Sequence, residues 1–362
     1  MEPTVASNYD PRIDQLRAFA CCLVATVHVG VPGWTDKIIE TGFYIDSVLL
    51  AVIHTGWIGV PLFLFVSGYS LSLNKIATNA SLNIKQFAFN RILRLLPLWA
   101  ICIVLIARFW NLDGTKVLNL ILFQMQDLPS STPFNIAWSL QLEMACYLLF
   151  PIFFFALCKK NINQILVFYL FFLVIRIYLH YHTSNTIWSL SYGTICGGAT
   201  IFLTGMYATT LKPLKNGKLS YVCFYFGIFL FLMFCTIVHN SGGYQNPKGP
   251  LIHYIFLFMP EIVSCIMFLI LRGFLTQKET RKPENLVTQG ITFFGKISYS
   301  AYLFSLFTND FISRYVSIVP SGWISFLQYL VIYYLFLTII SSLSFYAIEK
   351  PFLDLRKNYL KK

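Results

Sequence analysis

The chain has 362 residues, of which 57% are hydrophobic, 17% aromatic and only 12% charged, with a mean hydropathy of +0.65 and a formal net charge of +12. A soluble domain carries about 25% charged residues, so a fully hydrated surface is excluded and an all-α polytopic membrane protein is expected. The positive charge does not point to nucleic acid, because its distribution follows the sides of a bilayer.

Apolar runs of helical length lie at 16–33, 52–73, 92–110, 136–157, 163–180, 188–209, 220–238, 251–271, 291–311 and 323–347. They predict about ten transmembrane helices. Residues 1–15 read as a cytoplasmic N-terminal segment, 16–349 as one transmembrane domain, and 350–362 as a basic tail suited to anionic headgroups. The first ten residues are polar and lack a basic leader, so no cleavable signal peptide is expected. With the N-terminus inside, only Lys37, Arg108, Lys116, Arg176, Lys248 and Arg314 of the 27 Lys and Arg fall outside. That asymmetry puts both termini in the cytoplasm and makes the lipid bilayer the partner of the charge.

The outer segments 34–51 and 111–135 read as irregular or short helical lids, with "PSSTPFN" folding over the outer mouth. Segment 272–290 reads as a polar cytoplasmic linker. Most of the nine cysteines fall inside apolar runs, and no C-x-x-C occurs. They pack as small hydrophobes, and neither disulfides nor a metal site is expected. His180 and His182 would share a metal only in an extended segment. His54, His239 and His253 stand isolated near outer span ends.

The first span, "PRIDQLRAFACCLVATVHVG", carries ionisable groups into an apolar helix. Asp14 and Arg17 are three apart and share a face. Arg17 and His28 also share a face, separated by roughly 16 Å along the axis. Such groups at membrane depth are functional by default, since an unpartnered charge there costs several kcal/mol. The alternative is a snorkelling Arg17 and an interfacial His28. In "NRILRLLPLW", Arg91 and Arg94 share a face and form a phosphate-ready pair, or merely anchor the inner end of the span. In "AWSLQLEMACYLLFP", Glu143 lies on one face with Ser139 and Tyr147. Its carboxylate can hold a histidine tautomer, take a proton or bind a substrate hydroxyl, or serve only as an interhelical bond. Gly59, Ser67 and Gly68 permit close helix packing, Ser298 and Tyr299 suit hydrogen bonding between helices, and Glu349 suits a structural pair with an arginine.

Taken together, "RIDQLRAFACCLVATVH", "GVPLFLFVSGYSL", "RILRLLPLW", "WSLQLEMACYLLFP", "GKISYSAYL" and "IEKPF" occur in the order found in a known family. Over nearly its full length the chain resembles the acyltransferase-3 family of integral membrane acyltransferases. The resemblance implies transfer of an acetyl group from cytoplasmic acetyl-CoA, a co-substrate rather than a bound cofactor, to a glycan hydroxyl outside the bacterial inner membrane. Lipopolysaccharide O-antigen is the first acceptor to consider. His28 matches the family's essential histidine, Arg17 its upstream arginine, Arg91 and Arg94 its basic pair, and Glu143 its acidic position. Many members place a histidine one or two residues after "SYSxYL", where Phe304 and Ser305 stand here. No soluble esterase-like domain follows the last span, so transfer is expected to finish within the membrane domain.

In the mechanism this suggests, the CoA phosphates dock on Arg91 and Arg94 with Lys75 or Lys85, and the pantetheine arm passes Arg17 toward His28. His28 acts as general base or transient acyl carrier, with Glu143 orienting it or the acceptor. Asp14, Ser139 and Tyr147 support them. The rival is a proton-coupled transporter of small solutes using the same His, Arg and Glu as a relay.

Overall fold

A computed structural model describes residues 10–29, 44–77, 82–125, 128, 129, 131–158, 162–183, 189–212, 214, 216–242, 250–276, 285–316, 318 and 322–359. Among these, every regular element is helical: α1 (Pro11–His28), α2 (Tyr44–His54), α3 (Gly59–Ala77), α4 (Ile84–Trp110), α5 (Gly114–Ile121), α6 (Trp138–Cys158), α7 (Ile162–His182), α8 (Ile195–Ala208), α9 (Gly217–Asn240), α10 (Pro250–Leu257), α11 (Met259–Thr276), α12 (Leu286–Lys296), α13 (Ser298–Tyr315), α14 (Trp323–Ser344) and α15 (Lys350–Tyr359). The chain is an all-α polytopic membrane protein.

Local chemistry sets the helix ends. Asp10 accepts from the Arg12 backbone N–H at 3.0 Å and Pro11 takes the first helical position, where no N–H is needed. Asn83 caps α4 in the same way, and that helix stops at Asn111 in the left-handed region, φ 49°.

Six helical stretches are long and apolar enough to cross a membrane: Gly56–Leu73, Ile84–Trp110, Asn135–Leu157, Asn163–His182, Gly217–Asn240 and Trp323–Leu355. The pair Leu251–Leu257 and Met259–Leu275, bent by 64°, makes a seventh if taken as one span. The other three apolar runs fall on α1, α8 and the α12–α13 pair. α1 carries charges, α8 has only 14 residues, and α12 and α13 are parted at Ile297. By length and apolarity, the described residues thus give six or seven spans where hydropathy alone reads ten.

Of these weaker helices, the bundle encloses α1, α8 and most of α13, while α12 keeps Leu286, Val287 and Ile291 exposed. α1 packs against α3, α12 and α13, and α8 against α3, α6, α7 and α11. A helix too polar or too short to face lipid is given protein as its solvent. Glycines make the closest seam. A Cβ on Gly68 would lie 2.3 Å from the Phe202 carbonyl oxygen, and one on Gly205 2.1 Å from that of Phe65. The backbones of α3 and α8 therefore touch. Gly68→Ala is expected to lower stability by about 1–3 kcal/mol, read as thermal unfolding in detergent. Gly290→Ala, where a Cβ meets nothing within 4 Å, should leave it unchanged.

Several polar side chains counted as peripheral from the sequence turn out to be ties. Arg176, placed outside by charge counting, is fully buried and ion-paired with Glu261 just beyond the α10–α11 bend. His54 and His239, apart in the sequence, meet Nδ1 to Nδ1 at 3.0 Å and join α2 to α9. His180 and His182 end a helix rather than lie on extended chain, and His182 Nδ1 bonds the Tyr178 carbonyl. The reading of 272–290 as a linker is corrected at both ends: α11 runs to Thr276 and α12 starts at Leu286, with 277–284 outside the described residues. The lid readings meet short helices: α2 begins at Tyr44 and runs past the expected end at 51 to His54, and α5 lies within 111–135, while 34–43, 126, 127 and 130 lie outside the described residues.

Candidate active site

Where α1, α3, α4, α6 and α13 converge, a cavity of about 50 Å³ opens, walled by Arg17, Arg94, Ser139, Glu143, Tyr299 and Tyr302. Apolar side chains of α3, among them Phe63 and Leu64, complete the wall. Each polar group is delivered by helical spacing. Arg17 donates to Asp14 at 2.8 Å, one turn back on α1, and to Ser70 Oγ of α3 at 3.2 Å. Glu143 accepts the hydroxyl hydrogen of Tyr147, one turn on along α6. Tyr299 donates to the Leu95 carbonyl at 2.8 Å and ties α13 to α4.

The charges are organised as a set. Arg94 lies within electrostatic reach of Glu143, Glu349 and Asp14, and Arg17 within reach of Arg94. Glu349 is buried and accepts the Ser300 hydroxyl, so its expected structural role meets a serine and the nearby charge of Arg94. Arg91 is buried between two rings, 5.8 Å from the Phe87 centroid and 5.5 Å from that of Tyr147. Three guanidiniums and three carboxylates balance, which limits what their burial costs. An anionic guest at Arg17 must compete with its carboxylate and hydroxyl partners.

Tyr302 lines the cavity at the end nearer the C-terminal turns of α1 and α13. Its hydroxyl donates to the Ile136 carbonyl at 2.9 Å and meets Ser139 Oγ at 2.6 Å. One turn farther along α13, about 4.5 Å in rise, Ser305 Oγ stands 3.2 Å from Nδ1 of His28. Phe134, from the "PSSTPFN" segment, packs on Phe304 and Phe307 beside this turn.

The acyltransferase domain that defines the acyltransferase-3 family matches residues 10–347. The chain belongs to that family. It is 34% identical over 155 residues to ORF330 of Acidianus two-tailed virus, named as a candidate acetyltransferase; the match covers 41% of this chain and 42% of the viral protein. It is 28% identical over 177 residues to peptidoglycan O-acetyltransferase OatA of Listeria monocytogenes serovar 1/2a, covering 42% of this chain and 25% of that protein. The chain thus spans well under two thirds of either relative. No solved structure matches it.

Against the family pattern, the structure joins Arg17, Arg94, Ser139 and Glu143 at one cavity, with Asp14 and Tyr147 bonded directly behind them. Two expected site residues are placed differently. Arg91 packs behind the wall between aromatic rings rather than beside Arg94 in the cavity. His28 is not among the cavity-lining residues, and its ring nitrogen meets Ser305, one turn past Tyr302, where Glu143 was one expected partner. Lys85 is exposed at the start of α4, and the Lys75 side chain lies outside the described residues. Among the described residues no group of three or more His, Cys, Asp or Glu is placed to hold a metal ion. Sequence reasoning missed Ser70, Tyr302 and Ser305. For Ser305 a signal existed, since Phe304 and Ser305 stand where the resemblance leads one to expect a histidine.

Proposed function

We propose that the protein moves an acetyl group from acetyl-CoA on the cytoplasmic face to a hydroxyl of a surface glycan on the outer face. The observation that carries this reading is the two-sided site. A guanidinium-lined cavity lies on one side of Tyr302, and an imidazole lies on the other, one helical turn away. The topology proposed with it has the N-terminus, the inner mouth of the cavity and the basic tail in the cytoplasm of a bacterial inner membrane.

In this mechanism Arg94 and Arg17 receive the phosphates and polar arm of the donor, and the thioester advances past Tyr302. His28 takes the proton of the acceptor hydroxyl as its oxygen attacks the thioester carbonyl. The tetrahedral intermediate then collapses, the carbon–sulfur bond breaks, and the imidazolium returns the proton to the departing thiolate. Transient acetylation of His28 is the two-step variant. Glu143, held by Tyr147, steers the guanidiniums. The relatives named for acetyl transfer favour an acetyl donor. Peptidoglycan, the acceptor in the Listeria protein's name, supports a polysaccharide acceptor, with lipopolysaccharide O-antigen the first to try.

The test is CoA release from acetyl-CoA by the full chain in liposomes, with envelope glycan as acceptor. Release that depends on glycan is expected. Solute-driven proton uptake without thioester cleavage would replace this reading by the transporter. The two arginines should separate in the same assay. Arg94→Ala is expected to raise the KM for acetyl-CoA about tenfold to a hundredfold, the loss of a charged hydrogen bond. Arg91→Ala should instead lower thermal stability by about 1–2 kcal/mol through its lost cation–π contacts, with a small change in KM.

A further inference from the structure

We infer that Ser305 is the positioning residue that holds His28 in its Nδ1–H tautomer and so leaves Nε2 as the basic atom. The inference rests on His28 acting as the base, and it gives Ser305 a role where the resemblance suggested a histidine. The hydroxyl of Ser305 has one hydrogen to give and two neighbours within reach. The Tyr302 carbonyl oxygen lies at 2.8 Å and His28 Nδ1 at 3.2 Å. A carbonyl can only accept, and it holds the shorter contact, so the serine hydrogen goes there, the common bond of a helical serine to its preceding turn. Ser305 Oγ is then left with lone pairs alone. Nδ1 must supply the hydrogen between them, and Nε2 keeps its lone pair.

The surroundings hold the serine in place. Ser305 is fully buried, and its own carbonyl accepts the Tyr333 hydroxyl at 3.1 Å. The neighbouring turn of α13 is fixed by the Tyr302 bond to Ile136. On the other side, α1 is tied to α14 by Thr26 Oγ1 and Tyr334 at 2.7 Å. The result differs from a carboxylate–histidine pair. A neutral acceptor selects the tautomer without adding a counter-charge to the imidazolium, so the ring stays a readily discharged base rather than a standing cation.

The test reads the tautomer directly. In full-length protein with 15N-labelled histidine in bilayers, solid-state NMR of wild type minus His28→Ala isolates the His28 ring. Protonated Nδ1 with unprotonated Nε2 is expected in wild type, a mixture of tautomers in Ser305→Ala, and the wild-type pattern again in Ser305→Thr. In the CoA-release assay Ser305→Ala should lose about fivefold to tenfold in kcat, one neutral hydrogen bond's worth, with the KM for acetyl-CoA unchanged and Ser305→Thr restoring the rate. A protonated Nε2 in wild type, or an unaltered tautomer in Ser305→Ala, overturns the inference. Activity retained in His28→Ala with the tautomer as described overturns the base role of His28 and leaves the hydrogen-bond assignment standing, so the two failures are told apart.

Discussion

His28→Ala is expected to reduce acetyl transfer by about 10²- to 10⁴-fold, the range that a positioned general base contributes. Its effect on stability should be small. Among the described residues the imidazole has one neutral hydrogen bond, to Ser305, and losing such a bond costs about 1 kcal/mol. The gap between those two magnitudes makes the variant informative: a well-folded protein that binds acetyl-CoA and fails to turn it over. CoA release gives the rate, and thermal unfolding of the same preparation gives the control. If transfer falls less than about tenfold, His28 is not the base. Incubation with labelled acetyl-CoA and no glycan separates the two routes further, because only the acyl-carrier variant labels the wild-type chain and leaves His28→Ala unlabelled.

Arg17→Ala should be the most destabilising of the site substitutions. It takes from Asp14, whose side chain is 6% exposed, the guanidinium bonded to it at 2.8 Å. Breaking a buried ion pair by removing one partner costs about 3–5 kcal/mol, and the start of α1 has little room to adjust. A Cβ on Gly295 of α12 would already lie 1.9 Å from the Asp14 carbonyl oxygen. Lost activity in the single variant would therefore not by itself implicate donor binding. The double variant Asp14→Leu/Arg17→Met removes both charges at similar volume and should recover most of the stability. If it folds and still fails to saturate with acetyl-CoA, Arg17 belongs to the donor site. If it recovers turnover, the pair is structural only. A double variant as unstable as the single would mean that the ion pair is not what the single variant broke.

What could be read from the sequence follows one physical boundary. Bonds within a helix depend on the 3.6-residue repeat alone, so Asp14 with Arg17 and Glu143 with Tyr147 were legible from spacing. Bonds between helices depend on which faces meet and in what register. That is why Ser305 beside His28, Tyr302 beside Ser139, Arg176 beside Glu261 and His54 beside His239 were not. Arg91 and Arg94 show both cases at once: their shared face was legible, but not that Phe87 and Tyr147 would enclose one while the other reaches the cavity. Hydropathy likewise sums over an apolar stretch without sensing a change of direction. It ran smoothly through the break after Leu257 and the one at Ile297. The polar composition of 272–290 concealed the helical turns at both of its ends.

With its hydroxyl engaged at both Ser139 and Ile136, Tyr302 sets a packed step between the arginine cavity and the ring of His28. Among the described residues, this ring therefore stands between the guanidiniums and the imidazole. A membrane that stores an ion gradient tolerates no continuous file of water, and a packed aromatic ring with a satisfied hydroxyl interrupts such a file. In the proposed transfer, the group that passes from the cavity to His28 must first take Tyr302's hydrogen bonds apart, so the moving molecule itself opens the step.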